Sequence, residues 1–235
     1  NILSSKDDDL RNHERLNKFF VDFLPEYIFI VDGLSGGIKA NQEMPASLMI
    51  DNLKVITNII SLSHDHGIQK LIFIASSCSY PKEAMQPMNP SLLMTGPLEP
   101  TNSSYATAKL AGIELCRAYF NQYNDNFISV IPANIYGPGD DFESENAHVI
   151  SAMIRKIHTA KINNYKSVEF WGTGKPIREF IYLSDFSEAL IFIMKNYNSS
   201  EPLNLGTNEV VTIKALSDII ASIIGYEGII EFDEA

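Results

Sequence analysis

Cysteine is scarce. Cys78 and Cys116 are the only two in 235 residues. Two thiols cannot build a disulfide framework, and neither has the Cys/His spacing of a zinc site, so no metal is expected. A reducing, cytoplasmic setting is the simplest reading. Positive charge is also short. Lys and Arg number 18 against 29 Asp and Glu, the net charge is -11, and no basic block occurs. That argues against nucleic acid as a main partner, though a local cluster can still hold a phosphorylated ligand. Nowhere do eighteen apolar residues follow one another, so no membrane span is expected. The opening "NILSSKDDDL" has neither the basic stretch nor the apolar core of a secretory signal. It also has no initiator Met, and the chain reads as cut or processed there. Internal repeats and low-complexity linkers are missing too.

What is present is a regular alternation. The length suits one substantial domain, or one domain and part of another. "EYIFIVD" (26–32), "KLIFIASS" (70–77) and "FISVIPANIYG" (127–137) are short, nearly unbroken apolar runs. Such runs suit strands covered on both faces. Between the first two lies a helical pattern from Pro45 to His66. Its Leu48, Asn52, Val55, Ile56, Ile59 and Ile60 fall mostly on one face, and Gly67 is a natural stop. Ser103 to Tyr123 reads as the next helix. Strand, helix, strand, helix, strand is the mark of a parallel α/β sheet.

Past Gly137 the pattern changes. "DDFESENAHVISAMIRKIHTAK" is an acidic loop leading into a helix. "SVEFWGTGKPIREFIYLSDF" reads as two short strands around a Gly-Pro turn. Ser184 is expected to cap a helix running to Asn196. "LNLGTNEVVT" is a strand and loop. Thr212 then caps a helix with Leu216, Ile219, Ile220, Ile223 and Ile224 at helical spacing, ended by Gly225. These features divide the chain softly into 1–137 and 138–235, the second part interleaved with the first.

One stretch, "SSYATAKLAGIELC", carries chemistry. Tyr105 and Lys109 stand four residues apart, so a helix puts them on one face. An ammonium beside a phenol stabilises the phenolate, and a tyrosine tuned that way can give or take a proton. On spacing alone a solvated helix face is the better explanation of the pair. The context adds to it. "IASSCSYP" places Ser76, Ser77 and Cys78 at the carboxyl end of the preceding strand, where open α/β sheets bind ligands. A serine there can bond a substrate oxygen and a cysteine can serve as acid or base. Equally, the serines could satisfy turn amides and Cys78 could be a small buried hydrophobe. "IPANIYGPG" puts Asn134 and Tyr136 at the end of the following strand, on the same side.

The ordered set Ser-Ser-Cys-x-Tyr-Pro, Tyr-x-x-x-Lys, Pro-x-Asn-x-Tyr-Gly-Pro, Asn-x-His-Val-Ile, Trp-Gly-x-Gly-x-Pro-x-Arg-Glu-Phe and Asn-x-Gly-Thr resembles the extended short-chain dehydrogenase/reductases. Each motif is weak alone; the series, from Tyr27 to Phe232, is strong. Cys78 and "NAHVIS" make it most similar to the branch that epimerises C3 and C5 and reduces C4 of a GDP-4-keto-6-deoxy-mannose. The resemblance implies a Rossmann-like doubly wound parallel sheet with a smaller α/β substrate lobe. Residues 1–137 would bind cofactor and 138–235 mainly substrate. It implies NADP(H) as cofactor, a GDP-sugar substrate and a homodimer formed through the two long helices. Tyr105 would protonate the C4 oxygen, with Lys109 lowering its pKa and bonding the nicotinamide ribose. Ser76 would hold the C4 oxygen. Cys78 and His148 would be the base and acid of epimerisation. Ile74, Ala75, Ser76 and Ser77 would run past the cofactor. Pro132, Ala133, Asn134 and Ile135 would line its nicotinamide side, with His148 close by. For the substrate, the resemblance implies Asn134, Lys156, Trp171 and Arg178, the last gripping the diphosphate with its planar fork. Unaided, His148 reads as a partly exposed helix-start histidine and the lone Trp171 as core. Asp185 reads first as a structural cap.

The sequence departs from that family in four places. The family's first strand and Gly-x-x-Gly-x-x-Gly turn, which cradle the cofactor pyrophosphate, would precede Asn1. "GLSGG" (33–37) is no substitute, because it resembles a later Val-Gly-Gly turn. The family's helices after Phe232 are also missing. A molecule truly starting at Asn1 is expected to bind cofactor poorly. Asp32 puts a negative charge where small alanines are usual. "RK" replaces "RR" at Arg155 and Lys156. A related 4-epimerase or 4,6-dehydratase, or a catalytically dead binding or regulatory homologue, stays open at this stage. The missing glycine loop favours the dead homologue, and the retained Ser76, Cys78, Tyr105, Lys109 and His148 oppose it.

Overall fold

A computed structural model describes residues 9–31, 33–34, 38–142 and 147–233. Asp32 and Asn146, singled out above, lie outside the described residues. The chain divides into two compact units. The first holds Asn1–Pro132 and Ser187–Leu205; the second holds Ala133–Phe186 and Gly206–Ala235.

The first unit is built on four parallel strands. They are β1 (Tyr27–Ile30), β2 (Lys70–Ile74), β3 (Phe127–Pro132) and β7 (Leu203–Leu205), in the spatial order β1-β2-β3-β7. Parallel strands need crossovers, and two long helices supply them. They are α3 (Pro45–Asp65) and α4 (Ser103–Tyr123), which pack on one another. Both match the spans expected from periodicity. β2 shows why its sequence is an unbroken apolar run. Leu71, Phe73 and Ala75 face the core with Ile56, Ile113 and Phe127, and Ile72 and Ile74 are buried as well. Gly112 lets α4 come this close. A Cβ there would meet the Phe73 ring at 2.5 Å and Ile56 at 3.1 Å.

Two helices of this unit lie outside the expectations from sequence. α1 (His13–Phe23) starts on Asn12, whose side chain accepts from the Arg15 amide, and buries Leu16 and Phe20. The short α2 spans Ile38–Glu43. Lys70 is the unexpected charge. It is buried, and its ammonium donates to the carbonyls of Ile193 at 3.0 Å and Tyr197 at 2.6 Å. It thereby closes the end of α6 (Leu183–Asn196). Burial moves its pKa down.

The second unit has two small sheets. β4 (Asn134–Tyr136) pairs parallel with β6 (Ile177–Tyr182), and β6 pairs antiparallel with β8 (Val210–Thr212). β5 (Ser167–Trp171) pairs parallel with β9 (Ile229–Asp233). α5 (Val149–Ile162) and α7 (Ile213–Ile224) pack together over a core of Ile150, Met153, Ile157, Val168, Phe170, Leu216 and Ile220. Thr212 caps α7 by accepting from the Ala215 amide at 3.1 Å.

β5 and β6 are the two short strands expected around the Gly-Pro turn, each with its own partner. Three expectations are corrected. The run 127–137 is not one strand: β3 and β4 lie in different sheets, with Ala133 between them. "LNLGTNEVVT" gives two strands, β7 and β8, one in each unit. Ser184 does not cap α6; the helix begins at Leu183, and the Ser184 hydroxyl donates to Asp185 Oδ1 at 3.2 Å inside the first turn. Among the described residues no helix is long and apolar enough to cross a membrane.

Candidate active site

The carboxyl end of β2 is the place to start. After Ile74 the chain leaves the sheet, and Ala75 still donates its amide to Val130 at 2.8 Å. Ser76 then opens a single 3-10 turn over Ser77–Ser79. Its Oγ accepts from the Cys78 amide at 3.3 Å, which sets the turn. This turn packs on α4. Tyr105, in the first turn of α4, lies close enough to Ser76 and Cys78 for both to bear on its protonation. Ser76, Cys78 and Tyr105 therefore form one group.

Lys109 follows one helical turn later. It is buried, and its ammonium donates to the Ile74 carbonyl at 3.0 Å. It stands 5.9 Å from the centroid of the Tyr105 ring and 5.1 Å from that of Phe73. The lowering of the Tyr105 pKa expected from Lys109 is not what this geometry produces. Burial first, and the nearby Cys78 second, raise the phenol to about 12, while Ser76 pulls the other way. A buried phenol with little help for its anion stays protonated at neutral pH, which suits a proton donor.

Reasoning from sequence missed Asn102. An Asn just before a helix reads as its cap. Here the side chain makes no capping bond to α4. It turns away and donates from Nδ2 to Cys78 Sγ at 3.2 Å. Cys78 is a free, half-buried thiol. Asn52 was seen only as one position on the buried face of α3. It is buried and donates to the carbonyls of Leu34 at 2.8 Å and Leu48 at 2.6 Å, tying α3 to the chain after β1.

The remaining expected residues fall as follows. Pro132 ends β3 in the first unit. Ala133, Asn134 and Ile135 begin the second, where Asn134 donates to the Glu179 carbonyl at 2.9 Å. His148 is the exposed residue before α5 and makes no side-chain cap. Lys156 is exposed on α5, with its ammonium 5.3 Å over the Phe170 ring and so beside the neighbour of Trp171. Trp171 is 78% exposed at the end of β5, not core. Arg178 is exposed on β6, in a different sheet, and donates to the Ile177 carbonyl at 2.8 Å. The structure thus brings Ser76, Cys78, Tyr105 and Lys109 together within the first unit, and His148, Lys156, Trp171 and Arg178 belong to the second.

Known proteins match this arrangement. The NAD dependent epimerase/dehydratase family model covers residues 5–206. GDP-L-fucose synthase of Sinorhizobium fredii is 44% identical over 96% of this chain and 72% of its own length. GDP-L-fucose synthase 1 of Arabidopsis thaliana is 42% identical over 96% of this chain and 70% of its own. The crystal structure of a GDP-L-fucose synthetase from Naegleria fowleri bound to NADP is 32% identical. It aligns with a TM-score of 0.90 over 98% of this chain and 71% of that one. By the family model and by these relatives, the chain belongs to the NAD dependent epimerase/dehydratase family.

Proposed function

We propose that the chain epimerises C3 and C5 and reduces C4 of GDP-4-keto-6-deoxy-D-mannose, yielding GDP-L-fucose, with NADPH as reductant. The observation that carries this reading is the Ser76–Tyr105–Cys78 group at the carboxyl end of β2. One proton donor for an oxygen and one thiol lie side by side there. The names of the 44% and 42% identical relatives supply the substrate class.

The first unit's residues fit a dinucleotide. β1, β2 and β3 run parallel, so their carboxyl ends share one side. The chain leaving β1 passes close to Lys109. A Cβ on Gly33 would meet Asn52 Oδ1 at 2.7 Å and lie 3.4 Å from the Lys109 ammonium. Lys109 and Tyr105 would hold the nicotinamide ribose, and Ile74–Ser77 would run past it, with Pro132–Ile135 and His148 on the nicotinamide side. NADPH, when bound, supplies the hydride for C4.

The protein's own groups handle the protons. A ketone at C4 acidifies the hydrogens on C3 and C5. Cys78 as thiolate takes one of them, and the C–H electron pair moves into the enolate. His148 returns a proton to the opposite face. Ser76 orients the C4 oxygen, and Tyr105 donates its proton there as the alkoxide forms. Arg178, Trp171, Lys156 and Asn134 would hold the GDP-sugar. Residues 1–137 would then serve the cofactor and 138–235 mainly the substrate. The compartment would be cytoplasmic, and a homodimer would form through α3 and α4. Incubating purified protein with the 4-keto sugar and NADPH, and identifying the product sugar by NMR, tests the reading. A product reduced without inversion, or a 4-epimer, would overturn it.

A further inference from the structure

Asn102 occupies the start of α4 without serving it. Its side chain makes no bond to the first-turn amides, although an Asn there usually does. Its Nδ2 reaches Cys78 Sγ at 3.2 Å. The Oδ1 of the same amide is buried and has no hydrogen-bond partner. A side chain that leaves both its helix and its own carbonyl unserved is held by something else, and the contact in hand is the sulfur. We propose that Asn102 is a positioning residue for Cys78: its amide N–H fixes the sulfur beside Tyr105 and favours the thiolate over the thiol.

The physical reason is direct. A donor aimed at sulfur interacts more strongly with the anion than with the neutral group. The titratable group facing the sulfur from α4 is Tyr105. Ser76 is engaged by the Cys78 backbone amide, and Lys109 donates to Ile74. The catalytic part of this inference rests on Cys78 being the epimerisation base.

The test uses Asn102→Ser and Asn102→Asp. Both are good helix caps, so α4 should still start, and neither keeps the amide donor. Alkylation of Cys78 by iodoacetamide is followed by mass spectrometry across pH. Cys116 is 1% exposed and serves as the internal control, because its labelling reports unfolding. With Cys116 unlabelled, the Cys78 profile should move to higher pH. At pH 7 alkylation should slow about tenfold in Asn102→Asp, where a carboxylate also repels the thiolate, and less in Asn102→Ser. Exchange of the sugar's C3 and C5 hydrogens should fall in parallel. An unmoved profile would overturn the proposal. A profile moved to lower pH would do the same, since the amide would then face the sulfur with its carbonyl. Alkylation needs no sugar, so the two ideas can fail separately. A moved profile with undiminished exchange would defeat Cys78 as the base and with it the catalytic role of Asn102. An unmoved profile, with exchange lost in Cys78→Ser, would defeat Asn102 alone.

Discussion

Replacing Tyr105 by Phe isolates one proton. The substitution removes a hydroxyl and leaves the ring. Ser76 keeps its bond from the Cys78 amide, so the turn after β2 should hold. Stability should change by no more than about 1 kcal/mol, because the lost hydrogen bond is offset by burying one polar group fewer. The chemistry should change far more. With a pKa pushed up to about 12 by burial, the phenol is protonated throughout the neutral range and is always ready to donate. Losing a positioned acid typically costs about a hundredfold to ten-thousandfold in rate, or roughly 3–5 kcal/mol on the barrier. NADPH oxidation with the 4-keto sugar should therefore fall at least about a hundredfold. Hydrogen exchange at C3 and C5, which does not use this proton, should persist. The wild-type rate should also show no alkaline loss assignable to free Tyr105 below about pH 10. Near wild-type turnover in Tyr105→Phe would remove the residue from the mechanism.

Three further outcomes follow from other parts of the chain. Arg178→Lys keeps the charge and loses the fork, so calorimetry should show weaker GDP-sugar binding with NADPH binding nearly unchanged; equal loss of both would indicate misfolding. Gly112→Ala should destabilise by up to about 2 kcal/mol in urea melts. The clash with the buried Phe73 ring (about 1–3 kcal/mol) outweighs the helix propensity gained (about 1 kcal/mol), and a stabilised variant would refute the close approach. Cys116 is fully buried, and burial raises its thiol from the usual 9.0 to about 12. The unfolded chain ionises it first, so its contribution is whole below pH 9 and is lost as pH rises toward 12. The slope of stability against pH in that window should be shallower in Cys116→Ala, by up to about 1.4 kcal/mol per pH unit. Equal slopes would contradict it.

What could be read from sequence was what is periodic or local. The two long helices of the first unit came out at their observed spans, and α3 pairs a clear apolar face with Gly67 as its stop. The strands β1, β2 and β3 were legible as apolar runs; β2 and β3 bury both faces, whereas β1 leaves Tyr27 and Phe29 exposed. The break at Ala133 was invisible, because β4 continues the apolar pattern while changing partners, and pairing is a long-range property. β9 escaped notice because its alternation makes sense only beside β5. Tyr105, Lys109, Ser76 and Cys78 were singled out from their places at a strand end and on one helix face. The sign of the Tyr105 shift was not, since spacing reports that Lys109 is near but not that its ammonium is turned to the Ile74 carbonyl. Asn102 was hidden behind its ordinary role as a cap.

The central claim is that Cys78 moves protons on carbon while Tyr105 serves the oxygen. Proton NMR of the 4-keto sugar in deuterated water, with the wild type and with Cys78→Ser, tests it most directly. The wild type should place deuterium at both C3 and C5. Cys78→Ser should leave both carbons protonated, because a serine hydroxyl ionises far too reluctantly to act as the base. Deuterium at both carbons at the wild-type rate in Cys78→Ser would contradict the account.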